Sequence, residues 1–252
     1  MAGSADYGYD APYALVIFTV IGAAGTIGAI VGWREGDRHL TRLMAFYAVF
    51  FLGNALSFSY ATRRGKFVVW DRIIDGLRLR GDEAVLDMGC GRGAVLIAVA
   101  KRLTSGRATG IDLWSTLDQS GNASDVTRRN ATIEGVIDRV AIETGDMRAL
   151  PFPDGSFDLV VSSLAIHNIR TNADRAKAIS EAWRVLKPGG RLVIADIRAT
   201  ALYARTLDAL GATTTRRRLG WRFWYGNPVA ATTLVTASKP LPRSNETFFD
   251  SA

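Results

Sequence analysis

The chain has 252 residues, 48% hydrophobic and 22% charged, enough for one domain of ordinary size plus an appendage and too apolar for a largely disordered protein. A formal charge of +7 favours anionic surfaces, acidic lipid headgroups or nucleic acid, without choosing between them. The single cysteine, Cys90, excludes an intrachain disulfide and a cysteine-rich zinc site.

Apolarity concentrates near the N-terminus. No charged side chain occurs from Ala11 to Trp33, and a second uncharged run spans Leu43–Thr62. Each run is about as long as a helix needs to cross a bilayer, roughly 20 residues. Residues 1–64 therefore read as a membrane anchor, with helices at about 12–33 and 43–60 joined by the charged linker Arg34–Arg42. The leader carries Asp6 and Asp10 but no Lys or Arg, unlike the basic start of a signal peptide. Arg63, Arg64, Lys66 and Arg72 follow the second run, which puts that end and the remaining chain on the cytoplasmic side. Either both helices span, or the first spans and the second lies in the interface. Gly28 and Gly32 share a helix face with Gly25 and Ala29, fit for packing against the second helix or against a second protomer as a homodimer.

From residue 65 the pattern turns globular. Phe67–Leu79 is a predicted amphipathic helix. Strands are expected at Ala84–Met88, Arg107–Asp112, Val140–Thr144, Phe157–Ser162 and Arg191–Asp196. Helices are expected at Ala94–Leu103, Ser124–Glu134, Ala173–Val185 and Ala201–Leu210. This alternation specifies a parallel α/β sheet covered on both faces. Two last strands, Thr215–Tyr225 and Thr232–Ser238, joined by Gly226-Asn-Pro228, suggest an antiparallel edge. Residues 241–252 read as an irregular tail.

The strongest motif is Val85-Leu-Asp-Met-Gly-Cys-Gly-Arg-Gly93, a buried strand running into a glycine-rich turn that opens a helix. Asp87 would repel a pyrophosphate, but it suits a ligand carrying an ammonium or sulfonium. Asp112 ends the next strand, where a carboxylate can accept both ribose hydroxyls. Asp146 follows the third, placed to accept an adenine amine with Met147 against the ring. Three acids at successive strand ends form one constellation, because ligands of such sheets bind at the C-terminal ends of the strands.

Residues 66–240 resemble a class I S-adenosylmethionine (SAM)-dependent methyltransferase of the type that includes ubiquinone/menaquinone and sterol methyltransferases. The resemblance rests on the glycine motif, Gly110-Ile-Asp-Leu113, Gly145-Asp-Met-Arg-Ala-Leu-Pro-Phe-Pro-Asp-Gly-Ser-Phe-Asp158 and Val185-Leu-Lys-Pro-Gly-Gly-Arg-Leu-Val-Ile194. It implies a Rossmann-like seven-stranded sheet with a reversed final strand and SAM as cofactor. It also implies cofactor contacts from Asp87, Gly89, Cys90, Gly91, Gly93, Asp112, Leu113, Asp146, Met147, Ser162 and Ser163. Family members often carry a histidine after the fourth strand. His167 stands there as a candidate base, or as a residue that packs on the cofactor, with Asn168 to orient substrate. Trp114–Asn122 departs from the family pattern and reads as an ordinary loop or as a rim over the site. No metal is expected, and Asp196 is the one carboxylate that would alter this.

Arg216-Arg-Arg-Leu-Gly-Trp-Arg-Phe-Trp-Tyr225 interleaves basic and aromatic residues, fit for a membrane face or for nucleic acid. The hydrophobic N-terminus favours the membrane. A small or lipophilic acceptor at the cytoplasmic face and no nucleic acid partner are expected. The alternatives are a nucleic-acid methyltransferase using 216–225, though the Asn/Asp-Pro-Pro-Tyr/Phe motif is missing, and a non-catalytic SAM-binding membrane scaffold.

Overall fold

In the computed structural model, which describes residues 4–241, two helices stand outside the sheet: α1 (Pro12–Glu35) and α2 (Arg38–Tyr60). The only buried residues of α1 are Gly22, Gly25 and Gly32. Its large side chains, among them Val20 and Ile27, face outward, as do Phe46, Val49 and Leu56 of α2. A core helix of a soluble protein would show the reverse.

Two expectations about this hairpin need correction. Arg34–Arg42 is not a loop. Gly36, at φ 75°, turns the chain, and the Asp37 carboxylate accepts from the N–H groups of His39 and Leu40 at 2.9 Å, so α2 starts at Arg38. Charge disqualified this stretch from a membrane core but not from a helix. The glycine face is also not free for a second protomer. Met44 packs against Gly28, and Thr41 against Gly32. A Cβ on Gly25 would lie 2.8 Å from the Ala48 nitrogen, so the helices touch backbone to backbone. Gly25→Leu is expected to cost about 2 kcal/mol by overpacking. This would appear as a lower melting temperature in detergent, whereas Gly53→Leu, which meets nothing within 4 Å, should leave it unchanged.

The second helix does not stop at Tyr60. It passes through a π-helical turn (Ala61–Gly65) into α3 (Lys66–Leu77), one continuous helical rod of 40 residues whose apolar part lies in α2. The sheet follows: β1 (Ala84–Met88), α4 (Ala94–Ala100), β2 (Arg107–Asp112), α5 (Ser124–Ile133), β3 (Val140–Thr144), β4 (Phe157–Ser163), α6 (Asn172–Val185), β5 (Leu186–Asp196), α7 (Thr200–Ala209), β6 (Thr213–Arg218) and β7 (Thr233–Ser238). The strand order is β3-β2-β1-β4-β5-β7-β6. All ladders are parallel except those of β7, which runs antiparallel between β5 and β6. The reversed strand thus lies one place inside the edge.

Side-chain alternation splits the core in two. Val85, Leu159, Val161 and Val193 face α3 and α4; Leu86, Met88, Val160 and Ile194 face α6 and α7. Two spans depart much from expectation: β5 starts at Leu186 rather than Arg191, and Thr215–Tyr225 is not one strand. The strand ends at Arg218, because Gly220 (φ 79°) breaks it and Trp221–Phe223 forms a 3-10 turn that drives the Phe223 ring into the core. Beyond Leu241 the expected tail lies outside the described residues.

Candidate functional site

A cavity of about 770 Å³ opens at the C-terminal ends of β1, β2, β3 and β4. Its floor is the turn after β1. The Gly89 N–H donates to the Ile111 carbonyl at 2.8 Å, and a Cβ on Gly89 would collide with Ala165 and crowd Met147. Only glycine, here at φ 72°, lets the turn pass between the β3 and β4 loops.

Asp87 is 2% exposed and lines the cavity, yet among the described residues neither carboxylate oxygen has a hydrogen-bond partner. Burial, with the charge of Asp112 adding, pushes its pKa up to about 8, against the opposing effect of the Leu96 N–H. Asp112 is differently placed. One oxygen accepts from Gly91 N–H at 2.8 Å; the other accepts from Trp114 N–H at 2.6 Å and from the Asn122 amide at 3.2 Å. The first oxygen keeps lone-pair capacity for a ligand hydroxyl, whereas the second already accepts two bonds. Trp114 (φ 61°) and Leu164 (φ 55°), just after β2 and β4, hold left-handed backbone that bulky residues seldom adopt, a kind of strain that clusters at ligand sites.

Gly91, Leu113 and Met147 also line the cavity, as does Cys90, whose thiol burial and the two acids push well above its ordinary value. Asp146 reaches the cavity too, but Arg148 grips its carboxylate through Nε and Nη2 at 2.6–3.0 Å and holds its pKa below the usual carboxylate range. An adenine amine would have to share that carboxylate. Two expected contacts are not brought to the cavity. Gly93 caps α4 beneath Thr127, and the Ser162 hydroxyl is buried, donating to the Met88 carbonyl at 2.8 Å. Ser163 does line the cavity and accepts from Trp70 Nε1 at 2.8 Å.

His167 and Asn168 occupy the far wall. His167 Nδ1 lies 2.6 Å from Asp196 Oδ1, off the axis of a straight N–H···O bond. Asp196 is fully buried and also accepts from Ile197 N–H at 2.7 Å and from the Tyr203 hydroxyl at 3.1 Å. The carboxylate considered for a metal thus holds the His167 backbone, accepting from its N–H at 3.1 Å, with the imidazole against it.

Residues 4–11 supply a part of the site that sequence reading missed. They run across the domain in extended form: Asp6 pairs with Arg92 at 2.8 Å, the Tyr7 hydroxyl donates to Glu134, and Ser120 N–H donates to the Tyr9 carbonyl. Asp10 ties four elements together. Its carboxylate accepts from Lys66 Nζ at 2.8 and 2.9 Å, from the Thr62 hydroxyl at 2.8 Å, from the Tyr225 hydroxyl at 2.7 Å and from Gln119 Nε2 at 3.3 Å. Through Gln119 and Ser120 this segment pins the insert 114–122, and Asp118 and Gln119 line the cavity. The available signal was the acidic-aromatic cluster Asp6-Tyr-Gly-Tyr-Asp10. Since Lys66 is nearly buried, Asp10→Ala would strand an ammonium and cost roughly 3 kcal/mol. Thermal melts should show the loss, and Lys66→Met should recover more than half of it.

An aromatic and apolar wall comes from Phe18 of α1, Phe58 of α2, Phe67 and Trp70 of α3, and Ile197, while Asp71, Arg170, Asp174 and Arg198 line the cavity as well.

A family profile described as "Methyltransferase domain" matches residues 86–194. The chain is 34% identical over 129 residues to a ubiquinone/menaquinone biosynthesis C-methyltransferase of Ruegeria sp., covering 51% of this chain and 48% of the relative. It is 38% identical over 130 residues to the 27-O-demethylrifamycin SV methyltransferase of Amycolatopsis mediterranei, covering 50% and 43%. The chain thus spans about half the length of these relatives. Among solved structures, geranyl diphosphate C-methyltransferase from Streptomyces coelicolor superposes with a TM-score of 0.57 at 18% identity over 71% of this chain and 80% of that one. The [4+2]-cyclase SpnF superposes at 0.56 and 21%, over 68% and 82%. At these identities the superpositions establish the fold, which the cyclase shows to be open to other chemistry. Topology and matched domain agree: residues 86–194 carry the match to the methyltransferase-domain family, and the sheet that contains them has the fold of the methyltransferase it superposes on.

Proposed function

We propose that this protein is a membrane-tethered methyltransferase that binds SAM against Asp87, Asp112 and the Gly89–Gly91 turn and methylates a small lipophilic acceptor. The observation that carries the proposal is the continuity of one cavity. It runs from two strand-end carboxylates, one of them buried and unpartnered, to an aromatic wall supplied by the helices of the hairpin. Asp87 suits the ammonium of the cofactor's amino-acid part, Asp112 its ribose, and Leu113 and Met147 the adenine faces. When bound, SAM supplies a methyl group already activated on a sulfonium. The protein then has to align the acceptor, exclude water and receive a proton. His167, held by Asp196, is the proton acceptor, and Asn168 orients the nucleophile. The names of the two curated relatives point to ubiquinone/menaquinone biosynthesis and to a rifamycin acceptor, and the Phe18/Phe58 wall fits apolar groups of that kind.

The hairpin supports the tether. Tyr13 and Trp33, both exposed, lie 20 residues apart on α1, about 30 Å of helix, which matches the thickness of the hydrocarbon core. Aromatic residues favour both interfaces. Arg63, Arg64 and Lys66 at the domain end favour a cytoplasmic catalytic domain. The test is calorimetric binding of SAM to the purified protein, then transfer of labelled methyl to a membrane-lipid extract, to small phenols and thiols, and to RNA. Absence of SAM binding would refute the proposal. Methylation confined to RNA would refute the acceptor class.

A further inference from the structure

The basic-aromatic segment that follows β5 and α7 plays no part in the cavity chemistry. β6 is an edge strand, and Arg216, Arg217 and Arg218 are exposed along it. Arg216 donates to the Thr200 hydroxyl at 3.3 Å, whereas among the described residues Arg64, Arg217, Arg218 and Arg222 are in no ion pair. Directly after the strand, the half-exposed Trp221 ring stacks on Tyr60, the last residue of α2, at 5.4 Å and 23°. The Arg222 guanidinium lies over the Trp221 ring, 4.7 Å from its centroid. The Arg222 carbonyl presses on Gly65, where any Cβ would overlap it, so the segment is fixed to the π-helical turn where the hairpin meets the domain. Arginines on an edge strand can simply discourage edge-to-edge pairing. That role needs no exposed tryptophan and no seat at the foot of two apolar helices.

We propose that Arg64, Arg217, Arg218, Trp221 and Arg222 form an interfacial collar that binds the headgroups of anionic phospholipids around the foot of the hairpin. The proposal rests on the membrane reading above. Trp and Tyr sit at headgroup depth, and the unpaired guanidinium groups meet lipid phosphates at the same level. The collar is continuous with the lipid-facing side chains of α1 and α2, and its charge complements an acidic leaflet. Neutral lipid would serve the hairpin equally well but not the collar.

The experiment reconstitutes the full chain into phosphatidylcholine vesicles carrying a trace of spin-labelled phosphatidylglycerol or spin-labelled phosphatidylcholine. The motionally restricted fraction of each probe is then measured. The native protein is expected to select phosphatidylglycerol at least about threefold, as a few basic side chains at a lipid surface should. Selection should fall to about onefold in the variant Arg64→Gln/Arg217→Gln/Arg218→Gln/Arg222→Gln. It should fall likewise for the native protein in about 1 M salt, where the screening length is about 3 Å. Equal restriction of both probes by the native protein would overturn the collar and leave the tether standing. No restricted fraction with either probe would overturn both. Anisotropy with labelled single-stranded RNA completes the test: binding that the arginine substitutions abolish, with no lipid selection, would reassign the surface to nucleic acid and overturn the proposal.

Discussion

Asp87→Asn is expected to raise the melting temperature of the ligand-free protein and to weaken SAM binding by about 100-fold. Both effects come from one carboxylate that is buried without a partner. A charge-assisted hydrogen bond contributes roughly 1.5–3 kcal/mol, and its loss accounts for the affinity change. The stability change has the opposite sign because an amide does not carry an ionisable group into a dry site. The pH dependence follows from the pKa of about 8, raised from 3.8. Between those values the folded, ligand-free protein holds a proton that the unfolded chain has released. Stability therefore falls as pH rises through this window and levels off above it. A cationic ligand favours the ionised form, so binding below pH 8 expels the proton, and affinity rises with pH by up to about tenfold per unit until the site is ionised. Calorimetry in buffers of different ionisation enthalpy measures the released proton directly, and melts from pH 5 to 8 should show a slope that the Asn variant lacks. Equal SAM affinity in the two proteins, with no proton released, would remove Asp87 from the cofactor site.

Turnover should collapse without the His167–Asp196 pair while SAM affinity stays constant. A well-placed general base is worth about 10²–10⁴ in rate, and His167→Gln should lose that much in kcat. Asp196→Asn should lose about 100-fold. The amide keeps only one of the two oxygens that accept from Ile197 and Tyr203, and it no longer offers charge to an imidazolium. The double variant should be no slower than His167→Gln, because one residue acts through the other. Full turnover by His167→Gln would show that alignment alone suffices and that the histidine merely packs.

Strand positions were legible wherever apolar alternation was strong: β1, β2 and β3 occupy the spans read from the residues alone. The acids at their ends were legible because the strand–turn–helix rhythm places them. What escaped notice was extended chain without periodicity. Residues 4–11 carry no repeating pattern, so their docking over the site had no signal beyond composition. Ser162 and Ser163 illustrate a different failure. They are neighbours on one strand, and alternate residues point to opposite faces. Only one of them could reach the cavity, a parity that the motif match ignored. Asp146 was read by position alone. Its neighbour Arg148, two residues away, was free to take the carboxylate, and periodicity is silent about such local pairing.

The unbroken passage from α2 through the π-helical turn into α3 bears on how an acceptor finds the site. A catalytic domain hung on a flexible peptide would sample many heights and tilts above the bilayer, and productive encounters would be rare among them. A helical rod shared by anchor and domain removes that sampling. With the proposed tether, the mouth of the cavity would keep a fixed height and heading, and a hydrophobic acceptor would need to search only the plane of the leaflet to meet it. Stiffness of the stem thus substitutes for affinity. Such an enzyme can hold its acceptor weakly, and a product differing by one methyl can leave as readily as the substrate arrived.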